Sequence, residues 1–211
     1  MSLFITFEGG EGSGKSTQAE VLYQRLLKLG IPAVLTHEPG GTPLGERVTD
    51  ILKWAKDTQI SALTELLLFN ASRAELVAEV IRPSLEVGKV VISDRYTDST
   101  LAYQGYGRGL PLDTIRQVNA VATGGLIPDL TIVLDVSVEA GFARKKRERS
   151  DRFQDEVTAF HERVRAGFLE LAKSEPKRFL VVDATKSKSE IEKIIWQKVE
   201  PLLRNKGLLR S

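Results

Sequence analysis

Short apolar runs recur along the chain, separated by longer segments in which apolar residues return every three or four positions. The runs cover residues 3–7, 33–36, 90–93, 130–134 and 179–182. They are rich in aliphatic and β-branched side chains without polar alternation, which is typical of parallel strands covered on both faces. The segments between them predict helices over residues 15–29, 44–55, 61–86, 112–122, 138–148, 154–173 and 188–203. The pattern therefore predicts an α/β fold with three layers, in which a five-stranded parallel sheet carries helices on both faces.

The segment that joins the first strand to the first helix is rich in glycine. It fits the pattern G-x-x-x-x-G-K-[ST] and consists of Gly9, Gly10, Glu11, Gly12, Ser13, Gly14, Lys15 and Ser16. In such a loop, consecutive backbone N–H groups point at phosphate oxygens, and the N-terminus of the following helix adds partial positive charge. Lys15 would reach the β- and γ-phosphates, and the Ser16 hydroxyl would bind Mg²⁺. The sequence therefore predicts a P-loop fold that binds a nucleoside triphosphate.

Composition and overall charge argue against several other classes of protein. At 211 residues the chain suits one domain, and its net charge of +2 is too small to indicate a nucleic-acid partner. It has no cysteine, which excludes disulfides and cysteine-based zinc sites, and His37 and His161 are too far apart to suggest a metal cluster. Glu8 and Glu11 interrupt the first apolar stretch, so no secretory signal is predicted, and no run approaches the roughly 18 apolar residues of a membrane span. We expect a cytoplasmic protein with no membrane partner.

Local charge is concentrated in one segment. Residues 144–152 carry six basic and two acidic side chains. Such a run is often a solvated helix face. In a P-loop protein it is alternatively an arm that closes over the triphosphate. We predict a mobile basic lid over about residues 143–155, within a single domain that spans residues 1–211.

An acid and a base follow the third predicted strand directly. Asp94 and Arg95 stand where ligands gather in open α/β sheets, at the carboxyl end of a strand. Asp94 matches the second acidic position of P-loop enzymes, which orders Mg²⁺ directly or through water. The Arg95 guanidinium can grip a phosphate group with two parallel hydrogen bonds. The alternative is a solvent-exposed ion pair at the end of the strand.

Four motifs together resemble the thymidylate kinases, a family of nucleoside monophosphate kinases. They are Phe7 to Thr17, Glu38-Pro39-Gly40-Gly41-Thr42, Asp94-Arg95-Tyr96, and Tyr103-Gln104-Gly105-Tyr106-Gly107-Arg108-Gly109. The second and fourth motifs are much narrower than the P-loop pattern, and the resemblance runs from residue 3 to about residue 203. It implies phosphorylation of dTMP to dTDP by ATP with Mg²⁺. It also implies a homodimer formed through long helices, although the leucines of residues 61–86 are equally explained as core.

The resemblance also implies a role for each residue of the acceptor side. Phe69 would stack on thymine and Arg73 would point at a thymine carbonyl; their spacing of four places both on one helix face. From the apolar pattern alone, Phe69 is a core residue. Of the other residues, Ser99 and Thr100 would contact the pyrimidine, Tyr103 would pack against the 2′ carbon of the sugar, and Gln104 would lie near the base or sugar. Glu11 would lie near the 3′-hydroxyl of dTMP. Arg95 would bind the acceptor phosphate, with the Glu38-Pro39 turn beside it.

The ATP side resembles the bacterial subtype, in which arginines of the lid supply the catalytic charge. Gly12 stands where some thymidylate kinases carry a basic residue, so the positive charge is expected from the lid, with Arg149 and Arg152 as catalytic residues. Arg144 matches a position that stacks on adenine, and Ala184 lies in the turn at the adenine edge. The chain departs from the family pattern at His37, where arginine is common, and at Gln154, where an acid is common.

Two other functions stay open at this stage. One is a different small-molecule kinase that phosphorylates a deoxynucleoside or another monophosphate. The other is a P-loop ATPase switch, which would hydrolyse ATP without an acceptor and would not need an aromatic ring and an arginine at positions 69 and 73. The basic tail from Arg204 to Ser211 is expected to fray.

Overall fold

All five predicted strands form one parallel sheet in the computed structural model, which describes residues 1–54, 58–145 and 151–209. The strands are β1 (Leu3–Glu8), β2 (Ala33–His37), β3 (Val90–Asp94), β4 (Leu130–Asp135) and β5 (Phe179–Asp183), in the spatial order β2-β3-β1-β4-β5. In the central register, Phe7 lies opposite Asp94 on one side and Ile132 on the other. The central strands are buried because helices cover both faces of the sheet, which confirms the predicted fold class.

Helices occupy most of the segments between the strands. They are α1 (Lys15–Lys28), α2 (Pro43–Trp54), α3 (Ala62–Leu76), α4 (Arg82–Glu86), α5 (Thr97–Thr100), α6 (Leu112–Thr123), α7 (Val138–Lys145), α8 (Thr158–Ser174) and α9 (Lys188–Asn205). A π-helical segment, Val77–Ile81, joins α3 to α4, so the helix predicted over residues 61–86 is one continuous helical rod. Ser187 caps α9 as part of a capping box with Glu190.

Two parts of the chain, residues 97–107 outside the predicted helices and residues 204–209 in the basic tail, are more ordered than the sequence indicated. The polar, glycine-rich stretch after β3 forms α5 and a second π-helical segment, Leu101–Gly107. In the tail from Arg204 to Ser211, the predicted fraying is wrong for residues 204–209, and residues 210 and 211 lie outside the described residues. Lys206 pairs with Asp129 at 2.6 Å, and Leu208 and Leu209 pack against the main core.

The buried apolar side chains of the described residues form three clusters, and two of them support the site described below. The largest lies between α1, α9 and the sheet, and it fixes the position of the glycine-rich loop between β1 and α1. The second surrounds Tyr103 and includes Phe153, Phe160 and Phe168 from the segment that leads into α8 and from α8 itself. No helix among the described residues is long and apolar enough to cross a membrane.

Candidate active site

One large cavity opens at the carboxyl ends of the strands. It has a volume of about 1180 Å³. One end is lined by the glycine-rich loop together with Arg144 and Ala184, and the other end by Phe69, Ser99, Thr100, Tyr103 and Gln104. Asp94 and Arg95 line it as well, at the end of the strand next to β1. The structure therefore brings the predicted triphosphate side and the predicted acceptor side into one space.

The glycine-rich loop has the backbone that the motif predicts. Gly12 adopts a φ of +66°, and a Cβ built there would lie 2.0 Å from the carbonyl oxygen of Gly141 in α7. This close approach explains why position 12 carries no basic side chain. Lys15 is buried and donates to the Gly10 carbonyl at 2.8 Å and to the Ser13 hydroxyl at 3.3 Å. Its ammonium group is therefore folded back along the loop that would hold the phosphates.

A hydroxyl and a carboxylate meet at the start of α1. Ser16 donates a hydrogen bond to Asp94 at 2.5 Å. Both groups are hard oxygen ligands of the kind that Mg²⁺ prefers, and Mg²⁺ usually completes its shell with water and substrate phosphates. Among the described residues there is no group of three or more His, Cys, Asp or Glu side chains that could hold a metal. The donor set thus fits a magnesium ion that arrives with a nucleotide.

Glu11 is the centre of a charged network between the loop and the acceptor side. It accepts hydrogen bonds from Arg95 at 2.9 Å, from Lys145 at 2.7 Å and from the Tyr103 hydroxyl at 3.0 Å. Burial alone would raise the pKa of Glu11, but the charges of Arg95, Lys15 and Lys145 outweigh burial and hold that pKa well below its usual range. The carboxylate therefore stays ionised and organises the cations of the cavity.

Arg95 is held in an unusual backbone conformation by a buried acid that the sequence reading did not include in the site. Its φ is +74°, and no other non-glycine residue in the described part of the chain has a positive φ. The turn around it is fixed by Glu8, which accepts from the Tyr96 N–H at 2.8 Å and from the Ser99 hydroxyl at 2.6 Å. Ser99 in turn accepts from Arg95 at 3.2 Å. The strained backbone at Arg95 is thus maintained by groups on β1 and α5.

An aromatic slot forms the end of the cavity that was predicted to bind the acceptor. Phe69 and Tyr103 both lie near Phe153, with ring centroids 5.7 Å and 6.2 Å from it. Phe153 was not predicted as a site residue, because it is distant in sequence from the other two. Phe69 is only partly buried and lines the cavity, which favours the ligand role over the core role. A flat ring could lie against this slot.

Arg73 occupies a different place from the one that the resemblance implied. It is 1% exposed and does not line the cavity. All its N–H groups are used by protein acceptors, which are Glu38, Asn70, Thr100, Asn119 and the Tyr96 carbonyl. The structure therefore places Arg73 beneath the slot, where it supports the Glu38-Pro39 turn. The peptide bond of that turn is cis, and Pro39 lines the cavity.

Two of the arginines predicted to act from the basic segment, Arg144 and Arg152, fall in different places. Arg144 donates to the Ala184 carbonyl at 2.9 Å, which brings the two predicted adenine-side residues together. Arg152 instead pairs with the buried Glu65 at 2.5 Å, donates to the Leu52 carbonyl and does not line the cavity. The predicted contact of Arg152 with the transferred phosphate is therefore absent from this arrangement. Arg149 lies outside the described residues.

Comparisons with known proteins identify relatives of this chain. A family model described as thymidylate kinase matches residues 7–195. A protein from Dehalococcoides mccartyi named thymidylate kinase is 58% identical over 204 residues, which are 97% of this chain and 99% of the relative. A protein of the same name from Deinococcus radiodurans is 52% identical over 198 residues, 93% of this chain and 96% of the relative. The crystal structure of thymidylate kinase from Ehrlichia chaffeensis has a TM-score of 0.77 and 38% identity, and the match covers 94% of this chain and 98% of that one.

Proposed function

Because the chain belongs to the thymidylate kinase family, we propose that it transfers the γ-phosphoryl group of ATP to dTMP, which gives ADP and dTDP. The observation that carries the proposal is the single cavity that joins the glycine-rich loop to the aromatic slot. Direct transfer requires both substrates in one site with the reacting atoms aligned. A shared cavity of this size supports such an arrangement.

The reaction needs no general base from the protein. The acceptor phosphate oxygen of dTMP is already ionised near neutral pH, so it can attack the γ-phosphorus in line while the bond to the ADP oxygen breaks. What the protein supplies is positioning and positive charge. Lys15 serves the donor phosphates, and Arg95 serves the acceptor phosphate. Arg95 and Lys145 both pair with Glu11, so the guanidinium of Arg95 is oriented before substrate binds.

Magnesium belongs to this proposal as the metal of the nucleotide. Ser16 and Asp94 would hold it, the hydroxyl as a ligand and the carboxylate directly or through water. When bound, it would neutralise charge on the β- and γ-phosphates.

The aromatic slot supports a pyrimidine deoxynucleotide as the acceptor. Phe69 would cover the base, and the buried Tyr103 ring would leave no room for a 2′-hydroxyl. Ser99, Thr100 and Gln104 line the same end of the cavity. Arg73 would act on the base indirectly, through the groups it holds, in contrast to the direct contact implied by the family.

Several features stay predictions. These are the mobile lid over about residues 143–155 of one domain, catalysis by Arg149 and Arg152, and the cytoplasmic location. For Arg152 to reach a phosphate, its pair with Glu65 would have to break.

The homodimer also stays a prediction, and α3 offers surface for it. Leu63 and Leu67 are about half exposed and lie one turn apart on this helix. Ile51 and Trp54 of the neighbouring α2 are exposed as well. Light scattering coupled to size exclusion should give twice the mass of the 211-residue chain, and a mass of one chain would remove the dimer from the proposal.

The decisive variant is Lys15→Ala. It should remove dTMP-dependent release of ADP while leaving the thermal transition close to that of the wild type, because the ammonium group serves phosphate rather than the core. Lys28→Ala is the matched control, since Lys28 is an exposed lysine of the same helix. Separation of nucleotides by ion-exchange chromatography should show dTDP and ADP formed in equal amounts. A folded Lys15→Ala protein with near-normal turnover would contradict the proposed function.

A further inference from the structure

A fully buried carboxylate lies behind the aromatic slot. Glu65 stands in the first turn of α3, one turn before Phe69, and its exposure is 0%. It accepts hydrogen bonds from Gln104 at 2.7 Å, from Arg108 at 3.2 Å and from Arg152 at 2.5 Å. Two guanidinium groups from distant parts of the chain therefore neutralise it. A charge this deeply buried needs such partners, but they do not explain why a carboxylate is there at all.

The contact with Gln104 fixes which way that amide faces. A carboxylate paired with two guanidinium groups can only accept hydrogen bonds, so the NH₂ group of Gln104 must turn toward Glu65. The amide oxygen must then turn away from it. This oxygen is buried and has no hydrogen-bond partner in the structure, although Gln104 lines the cavity. Buried acceptors without a partner are rare in proteins, and one beside a ligand cavity indicates a donor on the ligand.

We propose that Glu65 is a positioning residue that sets base selectivity by locking the Gln104 amide with its oxygen available to the acceptor base. The inference rests on the proposed function, because it concerns the base of the nucleotide acceptor. An oxygen at this place accepts from a ring N–H. Thymine and uracil carry an imide N–H at position 3, whereas cytosine has a bare acceptor nitrogen there. Glu65 would thereby favour imide bases and exclude cytosine without touching either.

The two arginines have separate parts in this arrangement. Arg108 lies in the turn that follows the π-helical segment containing Gln104, and it bridges Glu65 to Glu156 near the surface. Arg152 holds the returning end of the basic segment, next to Phe153 of the slot. Loss of either contact would affect thymine and cytosine nucleotides alike. Only the orientation of the Gln104 amide distinguishes the two bases. The ratio of kcat/KM for the thymine and cytosine nucleotides therefore reports that orientation and is insensitive to a general loss of activity.

The test compares kcat/KM for dTMP and dCMP in the wild type and in Glu65→Gln. A glutamine at 65 can donate as well as accept, which allows the Gln104 amide to reverse and to present its NH₂ group to the base. The ratio of kcat/KM for dTMP to that for dCMP should fall by about tenfold or more, since polar mismatch in a buried site carries large selectivity. Glu156→Gln is the matched control: it removes the outer partner of Arg108 only, and the ratio should stay within about twofold of the wild type.

A second variant keeps the test decisive if Glu65→Gln does not fold. Gln104→Leu removes the amide and should also lower the ratio. In the double variant, Glu65→Gln should then add no further change, because its path runs through Gln104. An unchanged ratio in Glu65→Gln or in Gln104→Leu, even with turnover lowered for both nucleotides, would overturn the inference. A wild type without dTMP-dependent turnover would instead overturn the proposed function and the inference with it.

Discussion

Two interpretations of Arg73 can be distinguished by experiment. In one its guanidinium contacts the base of the acceptor, and in the other it is a buried side chain that supports the Glu38-Pro39 turn. In the structure its guanidinium pairs with Glu38 at 2.7 Å, and both side chains are almost fully buried. It also donates to Asn119 at 2.9 Å and to the Tyr96 carbonyl at 3.1 Å. Arg73→Met keeps much of the side-chain volume but removes every one of these donors.

The expected cost is large because a charge is left behind. Removal of one partner from a buried ion pair destabilises a protein by about 3–5 kcal/mol, since the remaining charge is buried without compensation. For Arg73→Met that remaining charge is Glu38, whose pKa is already raised by burial against the opposing effect of Arg73. In a chain of this length each kcal/mol shifts Tm by about 2–4 °C. We therefore expect Tm to fall by about 6–20 °C.

Differential scanning calorimetry at pH 7 measures the loss, with Arg116→Met as the control. Arg116 is half exposed and pairs only with the exposed Asp113 among the contacts that the structure gives, so its loss should cost under about 0.5 kcal/mol. If Arg73→Met unfolded within about 1 kcal/mol of the wild type while KM for dTMP rose strongly, the reasoning would be refuted, and Arg73 would be a base contact after all.

Three further outcomes follow from burial and charge. Burial, assisted by the charge of Arg95, lowers the pKa of Lys15 to about 8, so its ammonium group loses a proton above that pH. Calorimetric titration should show the Kd for ATP rising about tenfold per pH unit above pH 8. A constant Kd up to pH 9.5 would contradict this. Burial, assisted by Asp98, raises the pKa of Glu8 to about 8. Because the pKa of Glu8 is raised in the folded state, its protonated carboxyl contributes stability fully below the unfolded pKa of 4.5, and this contribution is lost as pH rises through about 8. The free energy of unfolding of the wild type should therefore fall, relative to that of Glu8→Gln, by up to about 1.4 kcal/mol per pH unit between pH 5 and 8. Parallel pH profiles for the two proteins would contradict this. Gly107→Ala would place a Cβ 2.6 Å from the Phe160 ring and should cost about 1–3 kcal/mol in urea denaturation, a cost that an unchanged midpoint would disprove.

The sheet was predictable because its signal is local. Each strand is a short, mostly apolar run such as Val90–Asp94, and its short length, β-branched residues and burial on both faces are typical of a strand in a parallel sheet. The glycine-rich loop was predictable for a similar reason, since its spacing encodes backbone geometry directly.

The helical stretch after β3 was not predictable from local pattern, because tertiary packing creates it. Its glycines are poor helix formers and no helix was predicted there, yet the π-helical segment packs closely on α8. Gly107 faces Phe160, and Gly167 of α8 faces the Tyr106 ring. Small residues are required there for close approach, so their weak helix propensity is overridden by packing.

The pairing of the buried charges in the site could also not be predicted from the sequence. Periodicity places Arg73 on the face of Phe69, but it does not tell whether a guanidinium faces a ligand or a carboxylate such as Glu38. Phe153 and Glu65 reach the slot from separate elements, and nothing local connects them. Glu65 lies in the first turn of a predicted helix, where an acidic residue is ordinary, so its burial has no local signal.

The most direct test of the account is the choice of acceptor. Release of ADP from ATP and Mg²⁺ would be followed in a coupled assay with dTMP, dUMP, UMP, dCMP, AMP, dGMP, thymidine or no acceptor. We predict the highest kcat/KM with dTMP, a modest advantage over dUMP of about 10–200-fold for one methyl group, and almost no turnover without acceptor. Preference for thymidine or for another monophosphate would contradict the pocket assignment. ADP release that is independent of any acceptor would contradict phosphoryl transfer and indicate an ATPase.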